Sequence, residues 1–140
     1  MKRFYEYHYV VSFEDTNLVG NVYYANHIRW QGRCREMFLL EYAPAVVAQF
    51  QEGLALVTTR CSCEYFAELY AFDRIVLRMH LGELTQSRIS LLFEYWRKTA
   101  GDEELIARGE QQVACMRRRG DRMEAAPVPE DLREALKLYE

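Results

Sequence analysis

The hydrophobic pattern of this chain changes to a long helical period only once. Apolar residues recur with helical spacing from Tyr23 to Tyr42, a stretch of about five turns. The segments on either side alternate between apolar and polar residues, the period of a strand with one buried face. Because one helix can cover one face of a single sheet, the pattern predicts a two-layer α+β domain.

Five segments carry the alternating pattern, and Thr99–Asp102 reads as the turn of a hairpin. Arg117–Arg122 reads as a solvated loop. The predicted strands are Phe4–Phe13, Leu54–Phe66, Ile75–Leu81, Ile89–Tyr95 and Leu105–Arg117; short helices are predicted at Ala45–Gln51 and Pro127–Tyr139. The expected fold is a five-stranded antiparallel sheet with one long helix and a short C-terminal helix, in a single domain over residues 1–140.

The composition limits the classes of binding partner that we expect for this chain. The net charge of −3 gives no basic field that would attract nucleic acid or an anionic membrane. No apolar run reaches the roughly 20 residues of a membrane span, and the first residues lack the apolar core of a signal peptide. We therefore expect a cytoplasmic protein that binds neither nucleic acid nor membrane.

The cysteines do not form a metal-binding pattern. They stand at Cys34, Cys61, Cys63 and Cys115. Zinc ligands are usually separated by two or more residues and come with a second pair, which this chain lacks. Buried free thiols and no metal are therefore predicted, and nothing sharp supports a nucleophilic cysteine.

Three polar residues interrupt the apolar arc of the long helix. His27, Gln31 and Arg35 fall inside this arc, whose apolar members are Tyr24, Ile28, Cys34, Phe38, Leu39 and Tyr42, while Asn26, Arg29, Arg33 and Glu36 project opposite. Burying an arginine is costly unless it is paired. The sequence therefore indicates either a functional site or an ion pair between Arg35 and an acid such as Glu64.

Two motifs carry a resemblance to a known family. Glu14–His27 reads EDTNLVGNVYYANH and resembles the opening of the hotdog-fold thioesterases related to 4-hydroxybenzoyl-CoA thioesterase, D-x-D-x-x-G-x-V-Y. Cys63–Glu68 is similar to the V-x-Y-x-x-P of that family's second strand. The resemblance implies a sheet wrapped around the long helix and hydrolysis of a thioester without a cofactor.

The chain departs from this family at the catalytic aspartate, whose place is taken by Asn17. An amide cannot ionise, so Asn17 can be neither general base nor nucleophile. Asn17 together with Arg35 resembles the thioesterases of enediyne polyketide biosynthesis. That resemblance implies release of a polyene β-ketoacyl chain from the acyl carrier protein of an iterative polyketide synthase, with decarboxylation as a candidate second step, by a homotetramer of two hotdog dimers.

The resemblance also implies roles for individual residues. It puts the oxyanion-binding amide near Tyr24, at the start of the long helix, and Asn17 would orient water or cap the helix entry. Arg35 would hold the oxyanion or the β-keto oxygen. Gly20 would let the loop approach the substrate or is a plain turn glycine. Asp15 and Glu64 are the nearest candidate bases, and neither is assigned.

The remaining expected pocket residues have competing interpretations. His27 and Gln31 line the pocket or belong to the core. By alternation, one of Thr58 and Thr59 faces the site, in a strand that runs near the partner's helix; packing and sheet propensity are the alternative explanation for both. Glu64 either belongs to the substrate pocket or pairs with a basic side chain.

Other functions are less well supported by the sequence. The chain has no G-x-S-x-G elbow and no P-loop or dinucleotide-binding glycine pattern. A general acyl-CoA thioesterase remains an alternative, with Arg117–Arg119 available for the CoA 3′-phosphate. A non-catalytic acyl-chain binding module is the other, since Asn17 removes the usual acid.

Overall fold

The long helix begins one residue after Tyr24 and ends before Pro44, which starts a second, short helix. The computed structural model describes residues 3–140. Its elements in chain order are β1 (Tyr5–Val10), a 3-10 turn (Phe13–Asp15), α1 (Ala25–Tyr42), α2 (Pro44–Gln49), a second 3-10 turn (Phe50–Glu52), β2 (Leu54–Tyr65), β3 (Arg74–Leu84), β4 (Arg88–Thr99), β5 (Asp102–Arg119), β6 (Arg122–Ala125) and α3 (Glu130–Lys137).

The strands form one antiparallel sheet in the order β1-β3-β4-β5-β2, with β6 paired to the end of β5. The predicted hotdog fold is confirmed: the sheet curls around α1 and α3 follows as the short C-terminal helix. Its inner face and α1 enclose the core, whose fully buried members include Phe38, Leu77, Met79, Phe93 and Tyr95. β2 is the long edge strand of this sheet.

The predicted loop at Arg117–Arg122 is wrong. β5 continues to Arg119, the chain turns at Gly120 with a positive φ of 67°, and β6 runs back along β5. Most of this hairpin is exposed on both faces, and Arg119 pairs with Glu124 at 3.2 Å. Because neither face is buried, the strands show no alternation from which they could be recognised.

The first strand ends earlier than predicted, at Val10, because Ser12 begins a capped turn. The Asp15 carboxylate is buried there and accepts hydrogen bonds from the Tyr9 hydroxyl at 2.7 Å and from the Ser12 amide at 2.9 Å. Asn26, expected on the exposed face of the helix, is buried instead. Its side chain donates to the Asp15 carbonyl at 2.8 Å and so ties this turn to α1.

All four cysteines are free thiols, as predicted, but not all are buried. Cys34 and Cys115 are buried and Cys63 is half-buried, whereas Cys61 is exposed because it lies in the edge strand β2. Burial raises the pKa of the Cys63 thiol to about 11. Within residues 3–140 there is no cluster of three His, Cys, Asp or Glu side chains that could hold a metal ion.

Candidate active site

A cleft opens at the start of α1, where the loop after the first 3-10 turn meets the end of β2. It has about 850 Å³ of free space, open solvent included, and its lining includes Asn17, Tyr24, His27, Tyr65 and Glu68. Three of the residues predicted for the site therefore meet around one cavity, and the six other residues that line it were not predicted as site residues.

The N-terminus of α1 is left without a side-chain cap. Tyr24 occupies the cap position with no capping hydrogen bond from its side chain, and the first turn contains no acid. The Tyr65 hydroxyl of β2 donates to the Tyr24 carbonyl at 2.7 Å, which fixes the helix start against the sheet. An uncapped helix start presents backbone N–H groups and the positive end of the helix dipole, an arrangement suited to a developing oxyanion.

Asn17 lies in a tight turn at the rim of the cleft. Its side-chain oxygen accepts from the Val19 amide at 3.1 Å, and its backbone carbonyl accepts from the Gly20 amide at 2.9 Å. Gly20 has a φ of 94°, and a Cβ there would meet no atom within 4 Å. Gly20 is therefore needed for the left-handed turn and not for close packing. The Asn17 oxygen holds the turn, and its amide nitrogen is the group left for a ligand.

His27 is the most deeply buried polar side chain facing the cleft. It is 3% exposed, and neither ring nitrogen makes a hydrogen bond of good geometry with any residue of the described part of the chain. Its ring packs edge-on against Tyr65, with centroids 4.7 Å apart, and lies beside Trp30. Burial lowers the pKa of His27 to about 4, opposed only in part by the Tyr24 backbone and the Glu68 carboxylate. At neutral pH it is therefore an uncharged imidazole.

Glu68 supplies the carboxylate of this cleft, and sequence reasoning did not select it. Its side chain accepts a hydrogen bond from the Asn21 amide at 2.6 Å. It stands where the V-x-Y-x-x-P pattern has proline, and that substitution is the signal that could have identified it. Asp15, one of the two bases considered from the sequence, instead accepts hydrogen bonds within the turn before α1.

Gln31 and Arg35 form a second group, further along the seam between α1 and the sheet. Arg35 donates to the Thr58 hydroxyl at 2.9 Å and to the Gln111 side-chain oxygen at 3.1 Å. No acid in residues 3–140 forms an ion pair with it, so the alternative of a buried pair with Glu64 is wrong. Burial lowers the pKa of the Arg35 guanidinium. Arg35 is a half-buried cation with two neutral partners.

The two groups do not meet within one protomer. Arg35 follows Tyr24 by eleven residues, about 16 Å along a helix. A bulge after Thr58 separates the two threonines: Thr58 faces Arg35, whereas Thr59 bonds to the Gln112 carbonyl at 3.0 Å, in a cleft shared with Glu83 and Arg88. Glu64 is exposed beside Arg108, apart from both groups, and makes no ion pair in the described residues.

Known proteins share this architecture over nearly the whole chain. The sequence pattern of the Thioesterase-like superfamily matches residues 11–136. A 1,4-dihydroxy-2-naphthoyl-CoA hydrolase of Thermosynechococcus vestitus is 27% identical over 131 residues, covering 91% of this chain and 84% of that protein.

None of the helices in residues 3–140 has the length and apolar character of a membrane span.

Two solved structures are similar to this chain over nearly its whole length. The dynemicin thioesterase, described in connection with polyene binding, is 48% identical, with a TM-score of 0.94 and coverage of 97% of this chain and 96% of that one. A mutant 4-hydroxybenzoyl CoA thioesterase complexed with 4-hydroxybenzoyl CoA is 20% identical, with a TM-score of 0.84 and coverage of 96% and 99%. The chain belongs to the thioesterase-like superfamily, and it is a hotdog-fold thioester hydrolase.

Proposed function

We propose that this protein hydrolyses the thioester of a linear polyene β-ketoacyl chain carried by the acyl carrier protein of an iterative polyketide synthase. The observation that carries the proposal is Arg35, a half-buried guanidinium with two neutral partners and further N–H groups that make no hydrogen bond within residues 3–140. A half-buried cation without a counterion suits an anion that forms only during the reaction. The likeness to a polyene-binding thioesterase at 48% identity supports the substrate class.

The cleft at the start of α1 has the groups that hydrolysis needs. Water attacks the thioester carbonyl, the carbonyl oxygen becomes an oxyanion, and the C–S bond then breaks to release the carrier's thiol. The N–H groups at the helix start stabilise the oxyanion, and the Asn17 amide orients the water or the carbonyl. Glu68 lies on the same cleft and is the group placed to accept the proton of the water.

Arg35 acts on the β-keto end of the substrate in this proposal. After hydrolysis the β-keto acid can lose its carboxylate as CO₂, and the bonding electrons pass to an enolate whose oxygen is negative until water protonates its carbon. A guanidinium stabilises that enolate because it donates charged hydrogen bonds. The same contact would hold the neutral β-keto oxygen of the bound thioester.

The site is proposed to be completed between protomers. Arg35 lies about 16 Å along α1 from Tyr24, and in this proposal a second copy brings its Arg35 and Thr58 to the first copy's cleft. The edge strand β2 is exposed over residues 57–62 and supplies the surface for such pairing. We propose a homotetramer of two such dimers, which meets its carrier protein in the cytoplasm.

A general acyl-CoA hydrolase is the second candidate, favoured by the relative from Thermosynechococcus vestitus. Two of the three basic residues considered for the CoA 3′-phosphate are already engaged. Arg117 donates to the Gln49 side chain at 3.1 Å, and Arg119 pairs with Glu124 at 3.2 Å. This engagement favours the carrier protein over CoA as the thiol partner.

The experiment compares the same polyene chain on its carrier protein and on CoA. Purified protein is mixed with each thioester, and the free acid and the decarboxylated ketone are quantified by mass spectrometry. Faster release from the carrier protein than from CoA is expected, and Arg35→Ala should lose ketone formation. Faster release from CoA would make the protein an acyl-CoA hydrolase instead.

A further inference from the structure

Asn21 bonds to both sides of the cleft at the start of α1. Its backbone carbonyl accepts from the backbone N–H of Asn17 at 2.9 Å and so closes the turn that carries Asn17. Its side-chain amide donates to the Glu68 carboxylate at 2.6 Å, and Asn21 itself lines the cleft. Asn21 therefore connects the residue proposed to orient the water or the carbonyl with the residue proposed to accept the proton of the water.

The backbone around Glu68 is held in place without the Asn21 side chain. The Val22 amide donates to the Leu69 carbonyl at 2.8 Å, and this bond joins the two loops through their main chains. Arg97 of β4 donates to the Glu68 carbonyl at 2.8 Å and fixes the same loop to the sheet. Because these bonds already fasten the loop, the hydrogen bond from the Asn21 side chain acts mainly on the direction of the Glu68 carboxylate.

The hydrogen bond from Asn21 restrains a side chain that would otherwise rotate. Glu68 is exposed, and an exposed glutamate has several rotamers open to it. Asn21 engages one carboxylate oxygen, Oε2, whereas Oε1 makes no hydrogen bond within residues 3–140. A general base must present one oxygen to the water within hydrogen-bond reach. Holding Oε2 therefore sets the direction in which Oε1 points.

The Asn21 amide carries a cost that a structural role alone does not explain. Its side-chain oxygen is buried and has no hydrogen-bond partner in the described part of the chain. An unmatched buried acceptor costs free energy, and an apolar side chain of the same shape would avoid that cost. The amide does supply an N–H donor to a carboxylate, which gives a short, charge-assisted hydrogen bond.

We propose that Asn21 is the positioning residue that holds Glu68 in the orientation in which it takes a proton from the attacking water. The water oxygen bonds to the thioester carbon while its proton passes to Oε1 of Glu68. When the C–S bond breaks, the departing thiolate takes that proton and the carboxylate is restored. Asn21 keeps its bond to Oε2 throughout and does not contact the substrate. The inference rests on the proposed function, because it assumes that Glu68 is the base.

The test is a double-mutant cycle on residues 21 and 68. Thiol release from 3-oxododecanoyl pantetheine thioester gives kcat and KM for wild type, Asn21→Ala, Glu68→Ala and the double variant. We expect kcat to fall about a hundredfold in Glu68→Ala and about tenfold in Asn21→Ala, with KM unchanged in the latter. Because Asn21 acts through Glu68, Asn21→Ala should change kcat less than about twofold once Glu68 is absent.

Asn26→Ala is the matched control. It also removes a side-chain amide, one that donates to the Asp15 carbonyl at 2.8 Å in the turn before α1 and makes no bond to Glu68. Its effect on kcat should be the same factor with and without Glu68. Asn21→Leu keeps the approximate shape of the side chain and removes both the donor and the unmatched oxygen. It should fold as wild type does, which circular dichroism checks, and lose kcat as Asn21→Ala does.

Two results would overturn the positioning role and leave the proposed function standing. One is an equal loss of kcat from Asn21→Ala with and without Glu68, and the other is a wild-type kcat in folded Asn21→Leu. A wild-type kcat in Glu68→Ala would instead show that Glu68 is not the base of the proposed function, and would overturn this inference with it.

Discussion

The hydroxyl of Tyr95 donates a 2.6 Å hydrogen bond to the backbone carbonyl of His27. Tyr95 is completely buried in the middle of the central strand β4, and burial raises the pKa of its phenol, which therefore stays a donor at any ordinary pH. The bond joins the centre of the sheet to the first turn of α1. The position of the helix start, and of the N–H groups proposed to bind the oxyanion, depends on this contact.

Tyr95→Phe should lower both stability and turnover. The change removes a buried hydrogen bond at nearly constant volume, and the free energy of unfolding should fall by about 1 kcal/mol. Turnover should fall further than this loss of folded protein explains, because the helix start loses one of the contacts that position it. Urea denaturation and steady-state kinetics check the two effects. Unchanged turnover would show that the contact does not position the site.

The buried imidazole of His27 should make the protein sensitive to acid. Its folded pKa of about 4 lies below the ordinary value of 6.5, so between these values the unfolded chain binds a proton that the folded chain does not. Stability is unaffected above pH 6.5 and falls with decreasing pH toward 4, by up to about 1.4 kcal/mol per pH unit. His27→Phe keeps the aromatic packing and should remove this part of the slope. Urea midpoints at pH 4.5 and 7.5 for both proteins provide the measurement, and parallel losses would contradict it.

Asn17→Asp tests whether the cleft works with an amide. The carboxylate can still accept from the Val19 amide, so the turn and the stability should be unchanged. It lacks the amide donor and puts a negative charge where the oxyanion forms, so hydrolysis should be slower or no faster than in wild type. Asn17→Ala should also reduce turnover strongly. A many-fold acceleration in Asn17→Asp, with the same product, would show that the scaffold supports base or nucleophilic chemistry there.

Arg35→Met should separate stability from activity. Replacing the half-buried guanidinium by an apolar side chain removes an unneutralised charge but leaves the buried Gln111 side-chain oxygen without its donor, so the free energy of unfolding should change by no more than about 1 kcal/mol. Loss of a charged donor to the oxyanion or enolate should reduce turnover by about a hundredfold. Calorimetry and product analysis on the same preparation give both values. An unfolded variant would mean that Arg35 is structural.

The protein should sediment as a dimer or tetramer, because one protomer leaves β2 unpaired on one side. Val57 is exposed in the middle of that edge. A lysine there should weaken strand pairing, shift the species toward monomer and reduce turnover in parallel. Sedimentation velocity and turnover on a dilution series test both. A fully active monomer would rule out a site shared between protomers.

The elements with one buried face were predictable, and those without one were not. Leu77, Met79 and Leu81 alternate with Arg78 and His80 because β3 covers the core, and their strand is where the pattern puts it. The hairpin Arg117–Ala125 covers nothing and has no such pattern. Asn26 was wrongly predicted to be exposed. It is buried because its side chain donates a hydrogen bond to the Asp15 carbonyl, and the hydrophobic period of a helix gives no information about such a bond.

The site was predictable where its residues are near in sequence. Asn17, Tyr24 and His27 meet because they flank one turn and one helix start. The choice between Thr58 and Thr59 depends on a bulge that alternation alone does not reveal. Gln31 and Gly109 belong to elements nearly eighty residues apart, and each looks ordinary alone. The close approach of the Gln31 side chain to Gly109 exists only in the folded chain.

Cys61 provides a thiol on the edge strand β2 whose chemical labelling can report whether that strand is covered. Burial raises the pKa of the thiols of Cys34, Cys63 and Cys115, and reactive thiolate is therefore scarce at those three positions. Cys61 is exposed on β2. A maleimide at neutral pH should consequently label each free protomer once, at this position, and should label it more slowly wherever a second chain covers the strand. The native sequence thus allows the assembly of subunits to be followed by mass spectrometry without an introduced probe.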